Sequence, residues 1–116
     1  FPGGSGNSVS KVDIQELIKF LKERSVVYFD WNVVNGDATG IKYSPEELYT
    51  NVMNGIQLHN TSIVLMHDTD TKENTVKSLE PILKTLTEQG VTILPLTNDV
   101  SPIQQVKEKP DTAKKK

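Results

Sequence analysis

Ser62-Ile63-Val64-Leu65-Met66-His67-Asp68 is the stretch on which the fold turns. An apolar run with no polar interruption reads as a short strand buried on both faces, the signature of a parallel sheet. The run then gives way at once to an imidazole and a carboxylate. His67 is therefore expected where the strand leaves the core. Working outward, both flanks read as helices. Upstream, Ser44 is a natural N-cap, Pro45 sits at the first helical position and Glu47 completes a capping box. Leu48, Val52 and Ile56 then line one face. Downstream, a helix is expected from Asn74 or Thr75, carrying Val76, Leu79, Leu83 and Leu86 inward, with Gly90 just past its end. Pro81 falls inside it and predicts a kink or a local irregularity.

The remaining segments repeat the alternation. Ile14, Leu17, Ile18 and Leu21 form an apolar stripe at helical spacing, predicting a helix from about Lys11 to Arg24. Val26-Val27-Tyr28-Phe29 reads as a buried strand ending near Asp30-Trp31, and Asn35 to Gly40 is turn-rich and reads as a loop. Val91-Thr92-Ile93-Leu94-Pro95-Leu96 reads as a last strand, and beyond Pro102 the chain reads as a polar, Lys-rich tail. Helices and strands in alternation predict parallel strands joined by crossovers. Three strands make a poor complete parallel sheet, because both faces need helical cover. The expectation is α/β, part of a barrel or of a larger doubly wound sheet.

Composition narrows the function classes. The chain has 116 residues, a net charge of -2 and no cysteine. No basic stripe calls for nucleic acid, no apolar run approaches the ~20 residues of a membrane-spanning helix, and thiolate chemistry and disulfides are excluded. The triple lysine at Lys114 to Lys116 reads as a solvated tail. No Gly-rich phosphate loop follows any expected strand, which argues against a nucleotide-binding module. The chain has no initiating Met and opens in the middle of a loop, so it is expected to be a fragment of a larger protein.

In parallel α/β folds, chemistry gathers where strands end. Asp30-Trp31 and His67-Asp68 are the two conspicuous strand ends. A partly desolvated imidazole at His67 suits general acid or base work; a structural histidine bonded to nearby backbone is the plainer reading, and position alone leaves both open. His59 is accounted for by the C-terminal end of the second helix. Asp68 and Asp70 do not make a metal site with His67, since adjacent strand residues face opposite ways and no H-x-x-x-H is present. Asp68 reads as an orienting or loop-capping group. Trp31 reads equally as a core aromatic or as an apolar wall for a sugar. Pro2-Gly3-Gly4 allows close backbone approach to a ligand, or is a plain flexible terminus.

Phe1-Pro2-Gly3-Gly4-Ser5, Tyr28-Phe29-Asp30-Trp31-Asn32-Val33, Ile63-Val64-Leu65-Met66-His67-Asp68 and the Thr75 to Gly90 helix, in this order, resemble the polysaccharide deacetylases. This is the NodB-homology group, carbohydrate esterase family 4; the chain is most similar to its peptidoglycan N-acetylglucosamine deacetylases. The resemblance covers residues 1–97 and implies the C-terminal half of a distorted (β/α) barrel, with 98–116 as a polar segment or tail. It implies metal-dependent removal of acetyl groups from N-acetylated sugars in a secreted or cell-envelope enzyme. Residue by residue, it implies His67 as the general acid, Leu65 as a wall of the acetate-methyl pocket and Trp31 as a wall of the groove. It also implies Pro2 at the substrate and the Gly3 N–H in the oxyanion hole. The metal-binding Asp and His motifs are absent, so a divalent metal, in this family usually zinc, is expected on a missing N-terminal half. Val34 stands where many members carry an Asp that tunes the catalytic His; Asp37 lines up with a second family Asp, to which that role does not transfer. A non-catalytic carbohydrate-binding or structural remnant of the same fold is the other reading.

Overall fold

The computed structural model describes residues 1–110, which form two compact units: Phe1 to Asp30 together with the chain from Asn98 onward, and Trp31 to Thr97. The triple lysine lies outside the described residues.

The first unit is built on α1 (Ile14–Glu23). Asp13 caps it by accepting a hydrogen bond from the Gln15 N–H, and Ile18 is buried with Ile14, Leu17 and Leu21 half-buried beside it, so the expected stripe faces inward. The helix stops at Ser25, which adopts φ +55°. There the N–H groups of Ser25 and Val26 return to the carbonyls of Lys22 and Leu21, the two-bond ending that usually takes glycine. The segment 26–29 forms no strand, contrary to expectation. Its neighbour is the C-terminal segment, which offers isolated hydrogen bonds and no ladder. Asp30 N–H donates to Ile103 O at 2.7 Å, Tyr28 Oη donates to Val106 O, and Gln15 bonds to both Lys107 and Lys109. Residues 103–109 are thus tied to this unit and are not a loose tail.

Asp30 joins these pieces. It is 1% exposed. Its Oδ1 accepts the Ser5 N–H at 2.8 Å, and its Oδ2 accepts both the Ser5 hydroxyl and the Gln105 N–H. Burial alone would raise its pKa, but the Ser5 and Gln105 hydrogen bonds outweigh burial and hold it below the ordinary carboxylate value.

The second unit places β1 (Val33–Val34), α2 (Pro45–Gln57), β2 (Val64–Leu65) and α3 (Glu73–Glu88) in that order. The two strands pair in parallel, with Val33 opposite Val64 and Val34 opposite Leu65. A parallel pair cannot be joined by a hairpin, and α2 is the crossover. The capping box of α2 is present as expected: Glu47 N–H donates to Ser44 Oγ and Ser44 N–H to Glu47 Oε1, each at 3.1 Å. Val52 and Met53 of α2 pack with Ile82 and Leu86 of α3, and Tyr49, Ile56, Val64 and Met66 close around them.

Three expectations are corrected here. The first strand lies at 33–34, after Trp31 and not before it. The last, at Val91 to Leu96, is no strand: Val91, Ile93, Leu94 and Leu96 are 42–65% exposed. The buried face of α3 keeps Leu86 of the expected stripe and otherwise lies one position earlier, at Thr75, Ser78 and Ile82. Val76, Leu79 and Leu83 are 58%, 39% and 42% exposed. Hydropathy misreads this face because Thr75 and Ser78 are buried for their hydroxyl hydrogen bonds. The helix continues through Pro81 without a break. Gly90, at φ +73°, ends it as expected, with Val91 N–H returning to Leu86 O at 3.0 Å.

Two outcomes follow for stability. A Cβ on Gly55 would lie 2.6 Å from Cγ1 of Val33, itself 3% exposed. Gly55→Ala gains about 0.5–1 kcal/mol of helix propensity, but overpacking a rigid neighbour costs about 1–3 kcal/mol. Urea denaturation should show net destabilisation, partly recovered when Val33→Ala is added; a more stable Gly55→Ala would contradict this packing. For Asp30, a lowered folded pKa means that its contribution is complete above the ordinary value of 3.8 and is lost as pH falls through the lowered value. Stability should therefore drop less steeply with acid in Asp30→Asn than in the unsubstituted chain. Identical acid profiles would show that the carboxylate contributes nothing.

Candidate active site

The carboxyl end of the strand pair carries the site. Val64 and Met66 turn toward the α2–α3 core, so alternation sends Leu65 and His67 to the opposite face. Leu65 is half-buried and its register partner Val34 is 47% exposed. That face of the sheet is open in this unit. His67 follows β2 directly, at the rim where the apolar run ends.

The continuation of β1 reaches the same place. Asn35 N–H donates to Leu65 O at 3.3 Å, which prolongs the pairing by one residue. Gly36 then takes φ +89°, and a Cβ there would stand 2.9 Å from the Tyr43 ring. Only glycine meets both conditions, and the sharp turn aims Asp37 at His67.

Asp37 Oδ1 lies 2.8 Å from Nδ1 of His67, and Oδ2 accepts the His67 backbone N–H at 2.7 Å and the Thr75 hydroxyl at 2.8 Å. The Asp37 N–H donates to Asn35 Oδ1 at 3.0 Å, and its carbonyl accepts from Lys72 Nζ. Burial would raise the Asp37 pKa, but the hydrogen bonds from the His67 ring, the His67 backbone, Thr75 and Asn35 prevail and hold it below the usual carboxylate range. The carboxylate side chain is 5% exposed and the imidazole 40%. A buried anion thus holds an accessible ring. Since the carboxylate only accepts, Nδ1 carries a proton, and Nε2 is the nitrogen left to exchange one with a ligand. A histidine–carboxylate pair with one such nitrogen is equipped for general acid–base chemistry.

Trp31, expected to end a strand, stands two residues before β1 instead. Pro2 and Gly3 lie in the first unit, in a turn closed by the Gly4 N–H on Phe1 O at 2.8 Å, with Gly3 at φ +75°. Proline followed by a left-handed glycine is what a type II turn requires. Asp68 and Asp70 are exposed. Among the described residues, no three His, Cys, Asp or Glu side chains come together to hold a metal ion, and Asp37 is already occupied by its donors. The residues present do not fit a metal site.

Asn35, Thr75 and Lys72 are the site residues that sequence reasoning missed. Asp37 was named there but denied a role on His67; the structure corrects this, since Asp37 is the carboxylate bonded to the ring, just past a parallel strand where such folds place function.

No protein-family model and no curated protein matches the chain. Among solved structures, the chain is similar to the catalytic domain of peptidoglycan N-acetylglucosamine deacetylase from Eubacterium rectale, with 39% sequence identity and a TM-score of 0.81. The match covers 95% of this chain and 50% of that one, so the chain spans about half the length of the solved protein. With the sequence and the backbone agreeing over nearly its whole extent, the chain resembles about half of a peptidoglycan N-acetylglucosamine deacetylase catalytic domain.

Proposed function

We propose that this chain is the C-terminal half of a metal-dependent hydrolase that removes acetyl groups from N-acetylated sugars of a polysaccharide, peptidoglycan N-acetylglucosamine above all. The observation that carries the reading is the His67–Asp37 pair at the carboxyl end of parallel strands, with the ring exposed and the carboxylate buried. Amide hydrolysis expels an amine, a poor leaving group unless its nitrogen is protonated as the C–N bond breaks. His67 is the general acid: its Nε2–H gives the proton, and Asp37 stabilises the charged ring and fixes its orientation. Leu65, two residues earlier on the same strand face, supplies an apolar surface suited to the acetate methyl. In the other unit, Pro2 is assigned to the substrate and the Gly3 N–H to the oxyanion.

The divalent metal, zinc by family preference, belongs in this reading to an N-terminal half, because no three His, Cys, Asp or Glu side chains gather among the described residues. The proton step assigned to His67 needs only groups present here. The apolar surface left open in the second unit supports such a partner. Val34 is uncovered on the sheet face that bears Leu65 and His67, and Ile93, Leu94 and Leu96 are more than half exposed. Parallel strands are ordinarily covered on both faces. A peptidoglycan substrate would place the enzyme outside the cell or at the cell envelope.

In the complete domain, His67→Ala should lower the deacetylation rate by about 10²–10⁴-fold, the usual share of a general acid, and leave metal content unchanged. Normal turnover in that variant would remove His67 from the acid role. A complete, metal-free parent that binds glycan without hydrolysing it would favour a carbohydrate-binding remnant instead.

A further inference from the structure

Asp37 is gripped by two residues from the start of α3 that have no part in the proton transfer itself. Lys72 stands at the N-cap and Thr75 in the first turn. Lysine is a poor choice for that N-cap. It makes no capping hydrogen bond with its side chain, and its charge opposes the positive end of the helix dipole. Its ammonium reaches the Asp37 carbonyl instead, a charge-assisted bond. Thr75 is likewise placed for a bond and not for packing: it is 4% exposed, and its hydroxyl donates to Asp37 Oδ2 at 2.8 Å.

We infer that Lys72 and Thr75 are positioning residues, a clamp from the first turn of α3 that fixes the Asp37 carboxylate so that Oδ1 stays on His67 Nδ1. The physical need is specific. A carboxylate's terminal torsion is broad and two-fold, so nothing intrinsic selects which oxygen faces the ring. The Thr75 hydroxyl and the His67 N–H engage Oδ2 and leave Oδ1 for the imidazole. The backbone that bears Asp37 runs on into the exposed residues Ala38, Thr39 and Gly40, and the Lys72 bond anchors it there. The catalytic consequence rests on the deacetylase reading; the clamp itself does not.

The test uses the low-field proton resonance of the hydrogen-bonded Nδ1 of His67 in the full chain, identified by its loss in His67→Gln. Lys72→Met keeps the stem without the charge, Thr75→Val removes the hydroxyl at constant shape, and Thr75→Ser restores a hydroxyl. The resonance should broaden or vanish in the first two and persist in the third, with helix content by circular dichroism unchanged. Persistence at the same position in both Lys72→Met and Thr75→Val overturns the clamp, as does its loss in a folded Thr75→Ser. Should Thr75→Val unfold, Lys72→Met decides, because its side chain is only half-buried. In the complete domain, the same two variants should lower kcat about 10- to 100-fold through misplacement of the acid while KM holds; an unchanged kcat overturns the inference. An inactive complete parent would instead remove the deacetylase reading and leave the spectroscopic result to judge the clamp alone.

Discussion

The second unit is organised around one buried carboxylate. Asp37 is nearly inaccessible, and a charge removed from water is tolerable only if its oxygens are hydrogen-bonded. Both strands and α3 contribute to that requirement. The parallel register brings Asn35 beside Leu65, Gly36 supplies the left-handed turn, β2 ends in the His67 N–H and ring, and α3 begins with Lys72 and Thr75. The α2–α3 core then holds the strand pair from one side, so that Val64 and Met66 point inward and Leu65 and His67 do not. Packing and electrostatics agree on a single arrangement. Loss of any one donor would leave the charge short of a partner, at a cost of about 1–3 kcal/mol.

The first unit repeats the device to a different end. Asp30 is also a buried carboxylate accepting backbone N–H and hydroxyl donors, and its pKa is lowered for the same physical reason. Yet its donors come from Ser5 and Gln105, none of which titrates near neutral pH. Asp30 is a structural knot that ties the segments around Ser5 and Gln105 together. Asp37 differs by a single partner: one of its oxygens meets an imidazole that reaches solvent. That partner turns a stabilising anion into one able to orient a proton donor.

What could be read from the sequence were the features that local chemistry controls. The capping box at Ser44 and Glu47, the glycine end of α3 at Gly90 and the apolar stripe of α1 each depend on a few neighbouring residues, and each is present. His67 at the rim of the sheet followed from the abrupt end of one apolar run. Features set by distant contacts were not legible. Val26 to Phe29 and Val91 to Leu96 carry strand-like composition, but a strand exists only where a partner pairs with it. The buried face of α3 was displaced by Thr75 and Ser78, whose hydroxyls satisfy contacts that hydropathy does not register. Asp37 was named but passed over, because a turn written Asn-Gly-Asp declares a loop and says nothing of what the loop points at. The strand that Trp31 was thought to end begins after it.

The account stands on His67 and Asp37 acting as one unit in proton donation. The most direct measurement is a double-mutant cycle on the deacetylation rate of the complete domain, comparing His67→Ala, Asp37→Ala and the two together. Residues that act as a unit are strongly non-additive, so removing Asp37 from a protein that already lacks His67 should cost almost nothing further. If the two losses instead multiply, the carboxylate works independently of the ring, and the pairing seen in the structure is not the source of the chemistry.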